Sequence, residues 1–75
     1  MLHAHFSANV RRRRKELGMT QQQLADAVEC DREFVAQVEA GKAGKTLGEV
    51  ERFARGLRCS PLALLVPLED VAAVA

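Results

Sequence analysis

The chain has no tryptophan, no tyrosine and only three phenylalanines. Two prolines and five glycines are too few for a linker-rich or disordered chain. The two cysteines, Cys30 and Cys59, stand apart without CxxC spacing. They cannot build a metal quartet, and one bridge is a thin disulfide framework. Free, core-type thiols in a reducing cytoplasm are the expectation, with a redox switch as the remote alternative. The segment Met1–Phe6 lacks the apolar run of a signal peptide. The stretch Leu62–Val66 is about a quarter of a membrane span, so no transmembrane helix is expected. Charge of one sign is also missing: eleven Lys/Arg against ten Asp/Glu leave a net +1. Seventy-five residues hold one small domain, which excludes large enzymes, doubly wound sheets and barrels.

What is present is unevenly placed. Arg11, Arg12, Arg13, Arg14 and Lys15 form a basic run that the near-neutral average conceals. A solvated first helix is the plainer reading of that run. Helix punctuation is clear along the chain. Ser7 reads as the cap of a first helix through Leu17, stopped by Gly18. Thr20 with Gln23 forms a capping box for a second helix that turns Leu24, Ala25 and Val28 inward. Asp31 caps a third helix, Arg32–Ala40, with Val35 and Val38 inward and Gly41 as its stop. Thr46 with Glu49 opens a fourth, whose apolar stripe is Val50, Phe53, Ala54 and Leu57. Ser60-Pro61 introduces a fifth element, Leu62–Val66, that ends before Pro67. The expected fold is all-α, with residues 1–6 as a tail, 7–66 as the domain and 67–75 as a C-terminal tail.

Two short helices joined by a short turn are a helix-turn-helix candidate. Over the twenty residues from Gln21 to Ala40, Ala25 is fifth, where close crossing of the second helix needs a small residue. Glu29 is ninth, in the turn. The frame Leu24-Ala25, Val35, Val38-Glu39-Ala40-Gly41, Leu47 and Leu57 resembles the Cro/CI-type (XRE-type) helix-turn-helix family of phage and bacterial repressors. The resemblance covers about residues 6 to 66. It implies a compact five-helix, lambda-repressor-like DNA-binding domain with the motif at helices two and three. The departure is Glu29, since the family usually has glycine at the left-handed ninth position. A non-glycine residue there costs about 1 kcal/mol.

In such a domain the third helix enters the major groove by its N-terminal half. Helical-wheel arithmetic then places Arg32, Glu33, Ala36 and Gln37 away from the core. Arg32 suits guanine O6/N7 and Gln37 suits adenine N6/N7. Glu33 either accepts from cytosine N4 or orients Arg32, and Ala36 suits a thymine methyl. A solvated helix face is the alternative for these residues. The resemblance implies a phosphate contact at Gln21, whose helix-end amides also face the backbone. Thr20, Gln22, Lys42, Lys45, Thr46, Arg11 and Arg13 are further phosphate candidates. The resemblance also implies a structural ion pair between Arg14 and Glu39. Phe34, on the flank of the third helix, is expected to pack against the loop or the fourth helix.

His3 and His5 form an H-x-H pair, but two ligands are not a metal site, and none is expected. No cofactor, small-molecule pocket or catalytic constellation emerges, so an enzyme is not expected. One short helix reads too few base pairs to compete with a genome of other sites. A homodimer on a palindromic double-stranded operator resolves this. Leu62, Leu64, Leu65, Val66 and Leu68 are more aliphatics than a small core can absorb, and they are the candidate dimer surface; capping of the core is the alternative. The leading function is a sequence-specific, cytoplasmic transcriptional regulator, foremost a repressor, akin to phage Cro proteins and restriction–modification controllers. It would act by competing with or touching polymerase. The alternative is an antitoxin-type regulator that also binds a protein toxin through its C-terminal region, in which Ala63–Leu68 can be read as a strand. A domain that kept the fold and lost DNA binding is a third option.

Overall fold

The computed structural model describes residues 2–44 and 46–74, with side chains from His5 onward. Five α-helices, α1 (Leu2–Glu16), α2 (Gln21–Val28), α3 (Arg32–Glu39), α4 (Leu47–Gly56) and α5 (Val71–Val74), and two 3-10 turns, Pro61–Leu64 and Leu68–Asp70, make up the chain. Among the described residues there is no strand. Four of the five sequence-predicted caps form, at Thr20, Asp31, Thr46 and Ser60. The Thr20 hydroxyl accepts from Gln23 N–H at 3.0 Å, while the Gln23 side chain accepts from Thr20 N–H at 2.8 Å. Thr46 and Glu49 repeat this arrangement, and Asp31 accepts from Phe34 N–H at 2.8 Å. Each such box satisfies amides that the first turn of a helix leaves orphaned.

The first helix corrects the sequence reading. Ser7 is not its cap and residues 2–6 are not a tail, because the helix begins at Leu2 and runs through Ser7. The cause is Phe6, which is only 2% exposed and meets Phe53 edge-on at 5.9 Å. Burying a phenylalanine stabilises by about 1.5–3 kcal/mol, enough to hold the preceding turn in register. Ser7 is itself buried, on the side of the helix toward Gly41.

Around Phe6 and Phe53 the core gathers Val10, Leu24, Val28, Val35, Val38, Val50, Leu57 and Leu64. Phe34 leans on Phe53 from the edge at 6.1 Å, so it packs against the fourth helix. The fifth element also differs from expectation. Ser60 caps and Pro61 starts it, but the turn is 3-10 and stops at Leu64. A strand over residues 63–68 does not form. Leu64 points fully into the core, which removes it from the candidate dimer surface. Buried Asn9 donates its side-chain amide to the Val66 carbonyl at 2.7 Å and fixes the exit of this segment. The chain then folds back through Leu68–Val74, and the Ser60 hydroxyl donates to the Val74 carbonyl at 3.0 Å.

Candidate nucleic-acid interface

The unit α2–turn–α3 is built as one body. Ala25, Val35 and Val38 are all 0% exposed, so the inner faces of the two helices close on each other without a gap. Between them Glu29 takes φ 60°, ψ 48°, the left-handed conformation. Its N–H bonds Asp26 O, and Cys30 N–H bonds Ala25 O at 2.9 Å, closing a Schellman-type end on α2. Asp31 then restarts the chain as α3.

With Val35 and Val38 anchored behind, Arg32, Glu33 and Gln37 stand exposed on the opposite face of α3. Ala36 is half-buried beside them. These four residues therefore share one outward surface of a two-turn helix, which is the size that a major groove admits. Glu33 makes no bond to Arg32 among the described residues. The Arg32 guanidinium instead reaches back 3.4 Å to the side-chain oxygen of Gln21. The Gln21 amide nitrogen donates to Glu39 at 3.2 Å. Gln21 is thus strung between the two ends of α3, at the exposed head of α2.

Behind Gln21 lies an ion pair. Arg14 Nε donates to one Glu39 oxygen at 2.6 Å and Nη2 to the other at 3.1 Å. The third nitrogen donates to Met19 O at 2.9 Å. Their side chains are 12% and 6% exposed. Every Arg14 nitrogen and both carboxylate oxygens are occupied, which a buried pair requires. The pair ties α1 to the C-terminal end of α3 and orients the glutamine between them.

The remaining basic residues divide. Arg11 is exposed and lies one turn before Arg14 on α1. Lys42 is exposed just past the end of α3. Lys45 lies outside the described residues. Arg13 does not face outward. Its Nε donates to Leu57 O at 3.0 Å and its Nη2 to Arg58 O at 3.2 Å, which satisfies the carbonyl end of α4 and takes Arg13 away from phosphate duty. Arg12 pairs with Glu16 at 2.6 Å, and that guanidinium holds the Glu16 carboxyl below its ordinary value. The basic run therefore contributes exposed Arg11 and Lys15, because the guanidiniums of Arg12, Arg13 and Arg14 are bonded to acceptors of this same chain, the first in a surface pair and the last in a buried one. Thr20 and Thr46 use their oxygens as cap acceptors, which leaves each hydroxyl hydrogen free to donate outward. Gln22 donates to Asp26 at 3.0 Å, so a carboxylate stands beside it.

Sequence reasoning missed three positioning residues: Asn9, Arg13 in its capping role, and Arg52. Arg52 donates to Val28 O at 2.7 Å and to Glu29 O at 3.1 Å. None carries a motif, because each acts on a distant backbone carbonyl.

Cys30 and Cys59 are free and half-buried, and burial pushes both thiols up. No group of three or more potential metal ligands gathers among the described residues. No described helix is long and apolar enough to cross a membrane.

A family model described as a helix-turn-helix domain matches residues 5–73. The chain belongs to the helix-turn-helix domain family. The chain is also similar to solved structures of this fold. A hypothetical transcription factor, NHTF from Neisseria, is 28% identical with a TM-score of 0.88, covering 100% of this chain and 86% of that one. The restriction–modification controller C.AhdI from Aeromonas hydrophila is 29% identical with a TM-score of 0.76, covering 83% and 94%. The controller C.Esp1396I, solved as a tetramer with its natural 35 base-pair operator, is 26% identical with a TM-score of 0.79, covering 97% and 92%. None of the curated proteins matches the chain.

Proposed function

We propose that this helix-turn-helix protein is a sequence-specific regulator of transcription that reads double-stranded operator half-sites in the major groove as a homodimer. The observation that carries the reading is the outward face of α3. Arg32, Glu33 and Gln37 are exposed there while the opposite side of the same helix is sealed into the core. Arg32 and Gln37 are the pair with bidentate geometry for guanine and adenine edges, and Glu33 and Ala36 complete the readout. Gln21, Thr20, Thr46, Arg11 and Lys42 flank that face as phosphate contacts and set the register of the helix in the groove. The likeness to C.Esp1396I, which was solved on its operator, supports the same use of this surface.

The dimer surface is Leu62, Leu65, Val66 and Leu68. Leu62 is 52% and Leu68 61% exposed, while Leu65 and Val66 are half-buried beside them. Two copies joined there read two half-sites, as a palindromic operator demands. Repression follows from occupying DNA that polymerase needs, in the cytoplasm where that DNA lies.

A salt titration tests the reading. Duplexes retained by the protein from a random library are sequenced, and the affinity of the recovered site is measured from low to moderate salt. The logarithm of the affinity falls linearly with the logarithm of salt, with a slope of about −0.9 per neutralised phosphate. Recovery of no preferred site, or binding indifferent to salt, overturns the proposal.

A further inference from the structure

Four helices end in a left-handed residue: α1 at Gly18 (φ 69°), α2 at Glu29 (φ 60°), α3 at Gly41 (φ 80°) and α4 at Arg58 (φ 57°). Two of these are glycines, which adopt that conformation freely, and two are not. Each non-glycine end has a guanidinium from another helix on it. Arg52 of α4 donates to Val28 O and Glu29 O at the end of α2. Arg13 of α1 donates to Leu57 O and Arg58 O at the end of α4. The pairing is the same in both, the carbonyl of the left-handed residue and that of the residue before it sharing one arginine, through Nη2 alone in Arg52 and through Nε and Nη2 in Arg13. At the two glycine ends no guanidinium bonds that pair of carbonyls among the described residues.

We infer that Arg52 is a positioning residue for DNA recognition, a clamp that holds the strained Glu29 turn and through it the pitch of α3 on the duplex. The inference rests on the proposed DNA-reading role of α3. The turn spans only Glu29 to Asp31, so a change in the Glu29 dihedrals rotates α3 as a whole against α2. Glycine at this position would need no clamp. Here the side chain disfavours positive φ, and the two Arg52 bonds exist only when the carbonyls of Val28 and Glu29 converge as they do in that conformation. Arg52 is an exposed residue, yet its Nη2 is turned to the turn and makes both bonds. The Arg13 clamp acts on the end of α4, away from the recognition helix, and serves as an internal control.

The test compares Arg52→Ala, Arg52→Ala with Glu29→Gly, Arg13→Ala and the unaltered protein. Each is first shown to unfold cooperatively. Residual dipolar couplings of backbone amides then report the orientation of α3 relative to α2 and α4 without any DNA. Affinities are measured for the duplex recovered by selection and for a scrambled duplex of equal length. Arg52→Ala is expected to reorient α3 and to lower the preference for the recovered over the scrambled duplex by about tenfold. Adding Glu29→Gly restores both, because glycine holds the turn unaided. Arg13→Ala lowers the melting temperature and leaves the preference unchanged. The inference is overturned if α3 keeps its orientation in Arg52→Ala, if glycine fails to restore the preference, or if both duplexes weaken equally, as loss of a phosphate contact would produce. If the unaltered protein binds neither duplex, the DNA reading fails, and the dipolar couplings alone still decide whether Arg52 sets the turn.

Discussion

Replacing Glu39 by alanine removes both oxygens that receive Arg14 and the one that receives Gln21. Arg14 keeps only its bond to Met19 O, and its charge stays in a site where the side chain is 12% exposed. Breaking one partner of a buried pair costs about 3–5 kcal/mol. The residual exposure and the surviving carbonyl bond place this case near the lower end, at about 3 kcal/mol. A domain of this length has about 4–11 kcal/mol in total, so the loss is a large part of it. At about 4–8 °C per kcal/mol, the melting temperature falls by about 12–24 °C. Urea unfolding followed by circular dichroism gives the single variants Glu39→Ala and Arg14→Ala and their double. Most of the loss is the stranding of a charge, so the two costs do not add, and the double variant is only slightly worse than either single. Replacing both residues by apolar ones, Arg14→Met with Glu39→Leu, lands within about 1 kcal/mol of the native protein. Simple addition of the two alanine costs, or a Glu39→Ala cost below about 1 kcal/mol, refutes the view that this pair is a satisfied buried unit.

Gly44 has φ 83°, and a Cβ there would stand 2.5 Å from Phe6 Cε2. Gly44→Ala should therefore cost more than about 2 kcal/mol from strain and overpacking together, and an unchanged melting temperature would show that the loop gives way freely. Leu62→Asp with Leu68→Asp should turn a dimer into a folded monomer in light scattering, whereas an unchanged mass places the interface elsewhere. Both thiols are raised by burial, so the folded chain holds their protons more tightly than the unfolded one. Their contribution to stability is level below about pH 8.5 and declines as pH rises through the unfolded thiol value toward the folded one. Alkylation by iodoacetamide at pH 8 should accordingly be slower in the folded protein than in urea, and equal rates would contradict the burial argument.

Much of this fold was legible because its signals are local. Thr20 with Gln23 and Thr46 with Glu49 declare helix starts by spacing alone, and both boxes form. Val35 and Val38 could be assigned inward, and Arg32 and Gln37 outward, from period arithmetic. The start of α1 was misread for an equally physical reason. Ser7 has the chemistry of a cap, but Phe6 before it has a partner in Phe53, forty-seven positions away, and tertiary burial overrode the local cue. Within the basic run it was Arg13 that misled in a similar way. Arg12 pairs with Glu16 one turn on in the same helix, and Arg14 with the Glu39 that the resemblance implied. The acceptors of Arg13, the carbonyls of Leu57 and Arg58, are brought near only by the folded chain. Leu64 looked like its aliphatic neighbours, and nothing in its type distinguishes a side chain that fills the core from Leu62, which stands outside it. Arg52 and Asn9 were invisible because backbone carbonyls are the same at every position.

The central claim is that the outward face of α3 reads base edges, and base preference tests it most directly. Arg32→Ala is assayed against the recovered site and its full set of single-base variants. The expected result is relaxed preference at one base pair in each half-site, worth about 1–3 kcal/mol, with the other positions unchanged. Equal weakening on every sequence, or no change at all, would mean that Arg32 does not meet a base and that this face of the helix does not carry the specificity.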